Sequence, residues 1–302
     1  MYRSENLYFK IDRLIKDEDI FPICVPSYGR PKSKLLQFLI AEPKLKVLLF
    51  IRTEEKDIYK EYYQYSHFTI VPLKEVNNIG QTRQKIVKYC TAKKIPEIFM
   101  LDDDIYFCDF LLPSITSGGK PAMRPYCTHS KGSYQVKPYF FKMWMMYLKK
   151  YGNNKVAISG AGGKADWWNI KNRGSKAVFN SSSTLQCIHL NTKLLKKYNI
   201  TYKDSEECGI EDYAIQYHCM KAGLLTYTIK DLVYGCPTMG SNNGGCDYSI
   251  GVKETMEKRM KLFIDNIIEE EDKYRVTLKT TKSGIPSVRF SWSKWRVTES
   301  EG

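Results

Sequence analysis

Residues 98–104 read IFMLDDD, so four apolar residues run directly into three carboxylates. A short apolar run of this kind predicts a buried strand, with the carboxylates just beyond its carboxyl end. In open α/β sheets, ligands bind beyond the carboxyl ends of the strands. Adjacent carboxylates at a buried position also repel one another unless a positive charge compensates them. The stretch therefore predicts an α/β sheet with a cation at this edge.

Three further apolar runs precede this stretch, at residues 21–26, 46–52 and 68–72, and amphipathic segments separate them. This alternation predicts parallel strands joined by crossover helices. The first run ends in the turn-forming cluster Ser27-Tyr28-Gly29-Arg30-Pro31, and Pro31 is expected at the first position of a helix. Because both follow strands, this cluster and the acidic triplet are expected at the same edge of the sheet.

The remaining pattern predicts further helices and strands up to the C-terminus. Thr53 is expected to cap a helix reaching about Tyr65, and another helix is expected near Gln81. Residues 113–138 are rich in Gly, Ser, Thr and Pro, which predicts a long loop. The elements expected after it are a helix around 140–148, strands at 155–159 and 185–190 with a turn at 160–163 between them, a helix at 211–222, a strand at 225–229, a helix at 253–270 and a hairpin at 274–295.

The fold class expected from these elements is α/β, with a mostly parallel, Rossmann-like sheet flanked by helices. A C-terminal helix and β-hairpin are expected as an extension. With 302 residues, of which 43% are hydrophobic, the chain can bury one large core or one core and a second lobe. We expect one domain over residues 1–250 and the extension over residues 251–302.

The acidic triplet has the chemistry of a metal site. Mg²⁺ and Mn²⁺ take oxygen ligands and are commonly held by one or two carboxylates together with substrate phosphates. Side chains alternate along an extended segment, so Asp102 and Asp104 are expected to face one way and Asp103 the other. Asp102 and Asp104 are therefore the predicted metal ligands. A solvated acidic turn is the alternative interpretation.

Three segments, taken in order, resemble the GT-A glycosyltransferases. They are the stretch Val25-Pro26-Ser27-Tyr28-Gly29-Arg30-Pro31, the Asn78-x-Gly80-x-x-Arg83 segment that opens a helix, and Leu101-Asp102-Asp103-Asp104. The resemblance implies a GT-A type fold and a UDP-sugar donor. It implies that the first segment holds the nucleotide, that the second lies beside the uridine and diphosphate, and that the third is the DxD motif carrying Mn²⁺ or Mg²⁺.

The resemblance also assigns roles to individual positions and halves of the domain. Residues 20–110 would form the nucleotide-sugar-binding half and residues 111–250 the acceptor half. The positions implied to bind the donor are Pro26, Ser27, Tyr28, Arg30, Asn78, Gly80, Arg83, Asp102 and Asp103.

A second acidic motif, Gly209-Ile210-Glu211-Asp212, opens the helix expected at 211–222 and resembles the Glu-Asp segment of the same enzymes. A positioned carboxylate can remove the proton that makes an acceptor hydroxyl a poor nucleophile. Asp212, beside Glu211, is therefore the candidate general base if the reaction inverts configuration. If the reaction retains configuration, Asp212 would bind the acceptor instead. An ordinary helix cap is the structural alternative.

Scattered motifs narrow the resemblance to the TET-associated glycosyltransferases of bacteriophages. They are the short Pro-Ser-x-Gly-Arg-Pro opening, Asp-Asp-Asp-Ile-x-Phe, and Gly244-Gly245-Cys246. This resemblance implies a hydroxymethylated pyrimidine in duplex DNA as the acceptor. Many GT-A enzymes supply a late His to the metal, but no His follows His218 in this chain. Asn242, Asn243 or water would have to take that place.

The net charge of +14 favours a polyanionic partner. DNA, an anionic membrane surface and nucleotide-sugar phosphates all fit this charge, as does a solvated basic surface. Trp167, Trp168 and Lys171 would suit base stacking and phosphate contacts, although core or lid tryptophans fit equally. The basic and aromatic residues of the 274–295 hairpin fit either a nucleic-acid surface or a half-solvated hairpin.

Alternative functions remain open at this stage. They are a transferase acting on a surface glycan or small molecule, a DNA-binding protein with an inactive transferase fold, and a nucleotidyltransferase. No stretch reaches the roughly 20 apolar residues of a membrane span, and no signal-peptide pattern opens the chain. The expected location is therefore cytoplasmic, in an infected bacterium if the phage resemblance holds. The sequence does not predict an oligomeric state.

Overall fold

A computed structural model describes residues 11–115, 121–125, 136–151, 154–163, 178–180, 186–202, 210–237, 252–280, 284 and 286–291. The strands of its large sheet are β1 (Ile23–Pro26), β2 (Val47–Arg52), β3 (Phe68–Leu73), β4 (Glu97–Leu101), β5 (Phe107–Ile115), β6 (Pro121–Pro125), β7 (Val156–Gly163), β8 (Val178–Asn180), β9 (Cys187–Asn191) and β10 (Leu225–Gly235).

These ten strands form one sheet in the order β3-β2-β1-β4-β9-β7-β10-β5-β6, and β8 pairs with β10. β1 pairs in parallel with β2 and β4, and β3 continues the parallel set beside β2. β7 and β10 are also parallel to each other, whereas β9, β5 and β8 run antiparallel to their neighbours. The predicted class, an α/β fold with a mostly parallel sheet flanked by helices, is confirmed.

The helices are α1 (Lys34–Ile40), α2 (Lys56–Tyr62), α3 (Ile79–Ala92), α4 (Pro138–Tyr151), α5 (Thr192–Lys197), α6 (Glu211–Lys221) and α7 (Val252–Asn266). Short 3-10 helices lie at Asp17–Asp19, Thr53–Glu55 and Glu270–Arg275. A separate hairpin of β11 (Val276–Thr280) and β12 (Pro286–Phe290) closes the described chain. No helix among the described residues is long and apolar enough to cross a membrane.

Two expected helix starts are wrong. α1 begins at Lys34, not at Pro31, because Ser33 is its N-cap and accepts a hydrogen bond from the Leu36 amide. Thr53 does not cap α2. Its hydroxyl instead donates to the Leu73 carbonyl at 3.0 Å and so joins the ends of β2 and β3.

Two expected loops are partly strands. Within residues 113–138, β5 and β6 pair in antiparallel register, with Leu111 opposite Pro125 and Ile115 opposite Pro121. The expected turn at residues 160–163 belongs to β7, whose Gly160 pairs with Ile188 of β9 and Thr228 of β10. Neighbouring strands supply the hydrogen bonds that stabilise these segments, so their local turn-like composition does not decide their structure.

Three hydrophobic clusters surround the sheet. The first joins it to α1, α2 and α4, and the second joins it to α3, α5 and α6. The third packs Ile210, Tyr217 and Met220 of α6 and its cap against Phe263 of α7 and Phe290 of β12. α6 therefore lies between the main sheet and the C-terminal extension, with a buried contact on each side.

Candidate functional site

The acidic triplet follows β4, at the carboxyl edge of the sheet as expected. Exposure alternates along it: the Asp102 and Asp104 side chains are 20% and 21% exposed, whereas Asp103 is buried. Residues 103 and 104 form a turn, closed by a hydrogen bond from the Ile105 amide to the Asp102 carbonyl at 3.2 Å, so the exposure pattern agrees with the expectation although the segment is not extended. Asp102 and Asp104 therefore remain partly accessible, while Asp103 faces the protein interior.

Asp103 fastens the first loop to the triplet. It accepts hydrogen bonds from Ser27 Oγ at 2.7 Å and Arg30 Nη1 at 2.8 Å, and Ser27 Oγ also lies 2.7 Å from Tyr59 Oη. Burial raises the pKa of Asp103, while the bonds from Ser27 and Arg30 act in the opposite direction. Ser27 and Asp103 thus hold the loop in place, and Arg30 lies between Asp103 and Asp104, 3.7 Å from the latter.

Arg83 joins the triplet to the second acidic motif. Its side chain is only 3% exposed, and its Nη2 donates to Asp102 Oδ1 at 2.8 Å. Its Nη1 contacts Glu211 Oε1 at 2.9 Å and also bonds to Asp212 Oδ1. The resemblance to GT-A enzymes implied that Arg83 binds the donor, but it did not predict this contact with Glu211 and Asp212. One buried guanidinium therefore connects β4, α3 and α6.

Two carboxyl groups beside Arg83, those of Asp102 and Glu211, have raised pKa values. Burial raises the pKa of Asp102 to about 7, even though the Arg83 charge opposes the shift. Burial, followed by the nearby Asp212 charge, raises the pKa of Glu211 to about 8. Strongly perturbed carboxyl groups clustered at a sheet edge are typical of functional sites.

The Asn78 segment orients Arg83. Asn78 is the N-cap of α3, and its Oδ1 accepts from the Gln81 amide at 2.9 Å. Gly80 is buried in the first turn, and Arg83 follows one turn after the cap. The cap fixes where α3 begins and hence the direction in which Arg83 projects.

Next to the triplet lies a surface that the sequence pattern only partly identified. The Arg52 guanidinium carbon lies 3.6 Å from the ring centroid of the exposed Tyr28, and the Gly29 amide donates to Glu55 Oε1 at 2.7 Å. Gly29 has φ +68°, a conformation that glycine adopts without strain. Arg52 and Glu55 were not predicted, although Arg52 ends β2 only two residues beyond Phe50, which pairs with Pro26 of β1.

The donor set at the triplet fits a hard divalent cation. Asp102 and Asp104 offer only oxygen ligands, which suit Mg²⁺ or Mn²⁺. Arg30 and Arg83 balance part of the negative charge of these carboxylates. These two partly exposed carboxylates would hold the metal.

Elsewhere in the described part of the chain, Glu269, Glu271 and Asp272 approach one another closely enough to hold an ion. Lys221 Nζ lies 2.9–3.0 Å from a carboxylate oxygen of each. This second cluster is therefore a set of ion pairs around a lysine.

The second motif offers two candidate bases. Asp212 is 21% exposed at the N-terminus of α6, whereas the Glu211 side chain is 6% exposed. Asp212 is therefore the more accessible carboxylate.

Four groups of predicted residues lie outside the described residues: Trp167 and Trp168, Lys171, Asn242 and Asn243, and the Gly244-Gly245-Cys246 motif.

Comparison with known proteins gives one family match. Residues 21–245 match the sequence model of a family described as TET-Associated Glycosyltransferase. No curated protein sequence matches the chain.

Among solved structures, GalNAc-T7 with UDP, GalNAc and Mn²⁺ is 9% identical with a TM-score of 0.41, over 72% of this chain and 44% of that one. The 4-diphosphocytidyl-2C-methyl-D-erythritol synthase of Anaerococcus prevotii is 9% identical with a TM-score of 0.40, over 82% and 97% of the two chains. The glycosyltransferase GlyE of Streptococcus pneumoniae is 10% identical with a TM-score of 0.34, over 68% and 44%. The chain thus spans less than half the length of the two transferases. At these identities and scores the likenesses support no statement about activity.

Proposed function

Because the chain belongs to the TET-associated glycosyltransferase family, we propose that it transfers a sugar from a UDP-sugar to a hydroxymethylated pyrimidine in DNA. The acceptor would be 5-hydroxymethylcytosine or 5-hydroxymethyluracil. The chain is a glycosyltransferase by family; the donor, the metal and the DNA acceptor are the proposed part. The observation that carries the proposal is the Arg83 junction, which brings the acidic triplet and the Asp212 motif to one edge.

The donor nucleotide would lie across the carboxyl ends of β1 and β4. The exposed Tyr28 ring, stacked with Arg52, offers a flat surface for the nucleobase. Glu55 lies beside it as a hydrogen-bond acceptor, and burial raises its pKa. The diphosphate would extend from there toward Asp102 and Asp104, with Arg30 on its path.

The reaction breaks the bond between the sugar C1 and the diphosphate oxygen and forms one between C1 and the hydroxymethyl oxygen. A divalent ion held by Asp102 and Asp104 would neutralise the charge that develops on the departing diphosphate. Asp212 would accept the hydroxyl proton, since its carboxylate is partly exposed at the same edge as Asp102 and Asp104. Arg83 would keep Asp212 and Asp102 in fixed relative positions.

The DNA acceptor draws on two observations. The family is associated with TET enzymes in its description, and the chain carries a net charge of +14. Phosphate contacts from Lys and Arg supply most of the non-specific affinity of proteins for DNA, whereas a transferase acting on neutral glycans does not need them.

Intact-mass analysis tests the proposal directly. Oligonucleotides containing hydroxymethylcytosine, hydroxymethyluracil or only ordinary bases are incubated with Mn²⁺ and a panel of UDP-sugars. A mass gain of one sugar on a hydroxymethylated strand alone supports the proposal. Metal-dependent hydrolysis of a UDP-sugar with no gain on any strand retains the transferase and rejects the DNA acceptor.

Asp212→Asn tests the assigned base. The variant keeps the size and polarity of the side chain but cannot accept the proton. It should lose transfer by about 10²-fold or more if the base is required. The anomeric configuration of the product, determined by NMR, gives an independent test, because a retained configuration would argue against Asp212 as base.

A further inference from the structure

A lysine-rich surface lies on the far side of the molecule from the candidate site. It comprises exposed lysines from α3, from the turn after α3 and from α5, which we call the lysine face: Lys88, Lys93, Lys94, Lys193, Lys196 and Lys197. Three of them, on a helix of only six residues, occupy its exposed positions. The buried positions of the same helix, Thr192 and Leu195, face the protein.

The fold brings the two parts of the lysine face together across about a hundred residues of sequence. The Lys193 amide donates to the Pro96 carbonyl at 3.3 Å, just after the Lys93-Lys94 turn. Cys90 of α3 and Leu195 of α5 share one hydrophobic cluster beneath the surface. The lysines are therefore held side by side by packed secondary structure.

The charges of the lysine face are not neutralised locally. None of its lysines forms an ion pair with a carboxylate within the described ranges. The nearest acidic residue in sequence, Glu97, bonds instead to His189 at 2.9 Å. Like charges held together without counterions create a field that attracts polyanions.

The C-terminal extension differs in this respect. Two of its described lysines are paired with carboxylates, Lys261 with Glu257 at 3.2 Å and Lys273 with Glu270 at 2.6 Å. The sequence pattern made this extension a candidate nucleic-acid surface. By charge alone, the lysine face is the better candidate among the described surfaces.

The distance between the lysine face and the active site limits which ligand can contact both at the same time. α3 begins beside Arg83 at the active-site edge and ends at Ala92 at the opposite edge. Its 14 residues span about 21 Å, at 1.5 Å per residue. A nucleotide-sugar cannot bridge that distance, but about six base pairs of duplex DNA can, at 3.4 Å each.

We propose that the lysine face binds the phosphate backbone of duplex DNA, about six base pairs away from the nucleotide presented to the active site. This inference rests on the proposed function, because it takes the same DNA as its ligand. Phosphate contacts position DNA without reading its sequence, so the face would set affinity and orientation.

Binding of an unmodified 30-base-pair duplex tests the surface without any chemistry. The variant Lys193→Gln/Lys196→Gln/Lys197→Gln is compared with Lys258→Gln/Lys261→Gln/Lys279→Gln, which removes the same charge from exposed positions of the extension. Affinity is measured by fluorescence anisotropy at several salt concentrations. The first variant should lower the slope of log affinity against log salt by about 2–3, and the second should leave it nearly unchanged.

An equal loss of DNA affinity in the two variants would overturn the proposal, because net charge alone would then explain the binding. Unchanged DNA binding, with loss of binding to phosphatidylserine-containing vesicles, would assign the face to a membrane and also overturn it. Circular dichroism confirms that both variants are folded.

Transfer assays separate this inference from the proposed function. With a four-base-pair hydroxymethylated duplex, too short to reach the face, the first variant should equal wild type; with 30 base pairs it should be slower at low DNA concentration. A changed salt slope without transfer to any strand keeps the surface and rejects the DNA acceptor. Transfer to hydroxymethylated DNA, together with a salt slope that the first variant leaves unchanged, would keep the DNA acceptor and reject the lysine face.

Discussion

Arg83 is a buried cation surrounded by Asp102, Glu211 and Asp212. Burying a charge is costly unless it is paired, and breaking such a pair leaves the partner charges without compensation. The guanidinium satisfies several carboxylates at once because its donors lie in one plane, which a lysine ammonium cannot reproduce. The acidic edge of the sheet therefore depends on this one side chain.

Arg83→Ala should lower the free energy of unfolding by about 3–5 kcal/mol at pH 7, because Asp102, Glu211 and Asp212 all lose the hydrogen-bond donor and positive charge that they share. Arg83→Lys should recover only part of this loss. Urea denaturation measures both, with Arg289→Ala on the exposed face of β12 as the control, expected within about 0.5 kcal/mol of wild type. An equal stability of Arg83→Ala and the control would contradict the central role of Arg83.

Asp104→Asn should preserve the fold and remove one anionic metal ligand. We expect metal-dependent hydrolysis of the UDP-sugar to fall by at least about 100-fold, the equivalent of about 2.7 kcal/mol of transition-state stabilisation. Mn²⁺ affinity, measured by calorimetry, should fall as well. Asp57→Asn on the exposed side of α2 serves as the matched control. Near wild-type turnover in the Asp104 variant would exclude the metal assignment.

At the scale of elements, α6 has two packing partners and one functional end. Ile215 and Cys219 pack toward the sheet, while Tyr217 and Met220 pack toward the extension. Tyr217 Oη donates to Asp272 Oδ2 at 3.0 Å and accepts from the Glu269 amide at 3.0 Å. The extension therefore helps to fix the helix whose first residues are Glu211 and Asp212.

Tyr217→Phe should destabilise the protein by about 1–3 kcal/mol, because the substitution leaves a buried carboxylate oxygen and an amide with fewer partners. Tyr274→Phe, at an exposed tyrosine, is the control and should change stability by less than about 0.5 kcal/mol. Urea denaturation measures both variants, and the dependence of the unfolding free energy on urea concentration should be the same in both. A cost as small as that of the control would indicate that water replaces the Tyr217 hydroxyl without penalty.

At the scale of the whole molecule, the extension and the main sheet pack against opposite sides of α6. Removing residues 251–302 would expose the apolar side of α6, including Tyr217 and Met220. Contiguous apolar patches that are exposed to solvent promote aggregation. The boundary expected at residue 250 would then separate two segments that do not fold independently.

We therefore expect a fragment of residues 1–250 to aggregate or to lose cooperative thermal unfolding, as measured by light scattering and circular dichroism. The full chain, prepared in the same way, provides the reference. A soluble fragment with a single cooperative transition would establish the extension as an independent unit.

The sequence by itself determined the α/β class, the positions of the first four strands along the chain and the edge of the sheet at which the acidic triplet lies. These follow from hydrophobic periodicity and from the rule that strand ends bind ligands, both of which are local in the chain. Asp102 and Asp104 could be singled out for the same reason, because they lie directly beyond a recognisable strand end, whereas Asp212 was singled out through the resemblance of its segment to the GT-A enzymes. The errors lay at helix starts and ends and in segments of loop-like composition, and two short elements, β8 and α5, were not predicted.

Only the tertiary structure decided which charges meet. Arg83 reaches Asp212 across 129 residues of sequence, and the lysine face joins α3 to α5 across a similar separation. The segments at residues 113–115, 121–125 and 160–163 are strands because neighbouring strands supply their hydrogen bonds. Local patterns cannot encode such partners, since the free energy of a pair depends on where packing places both members.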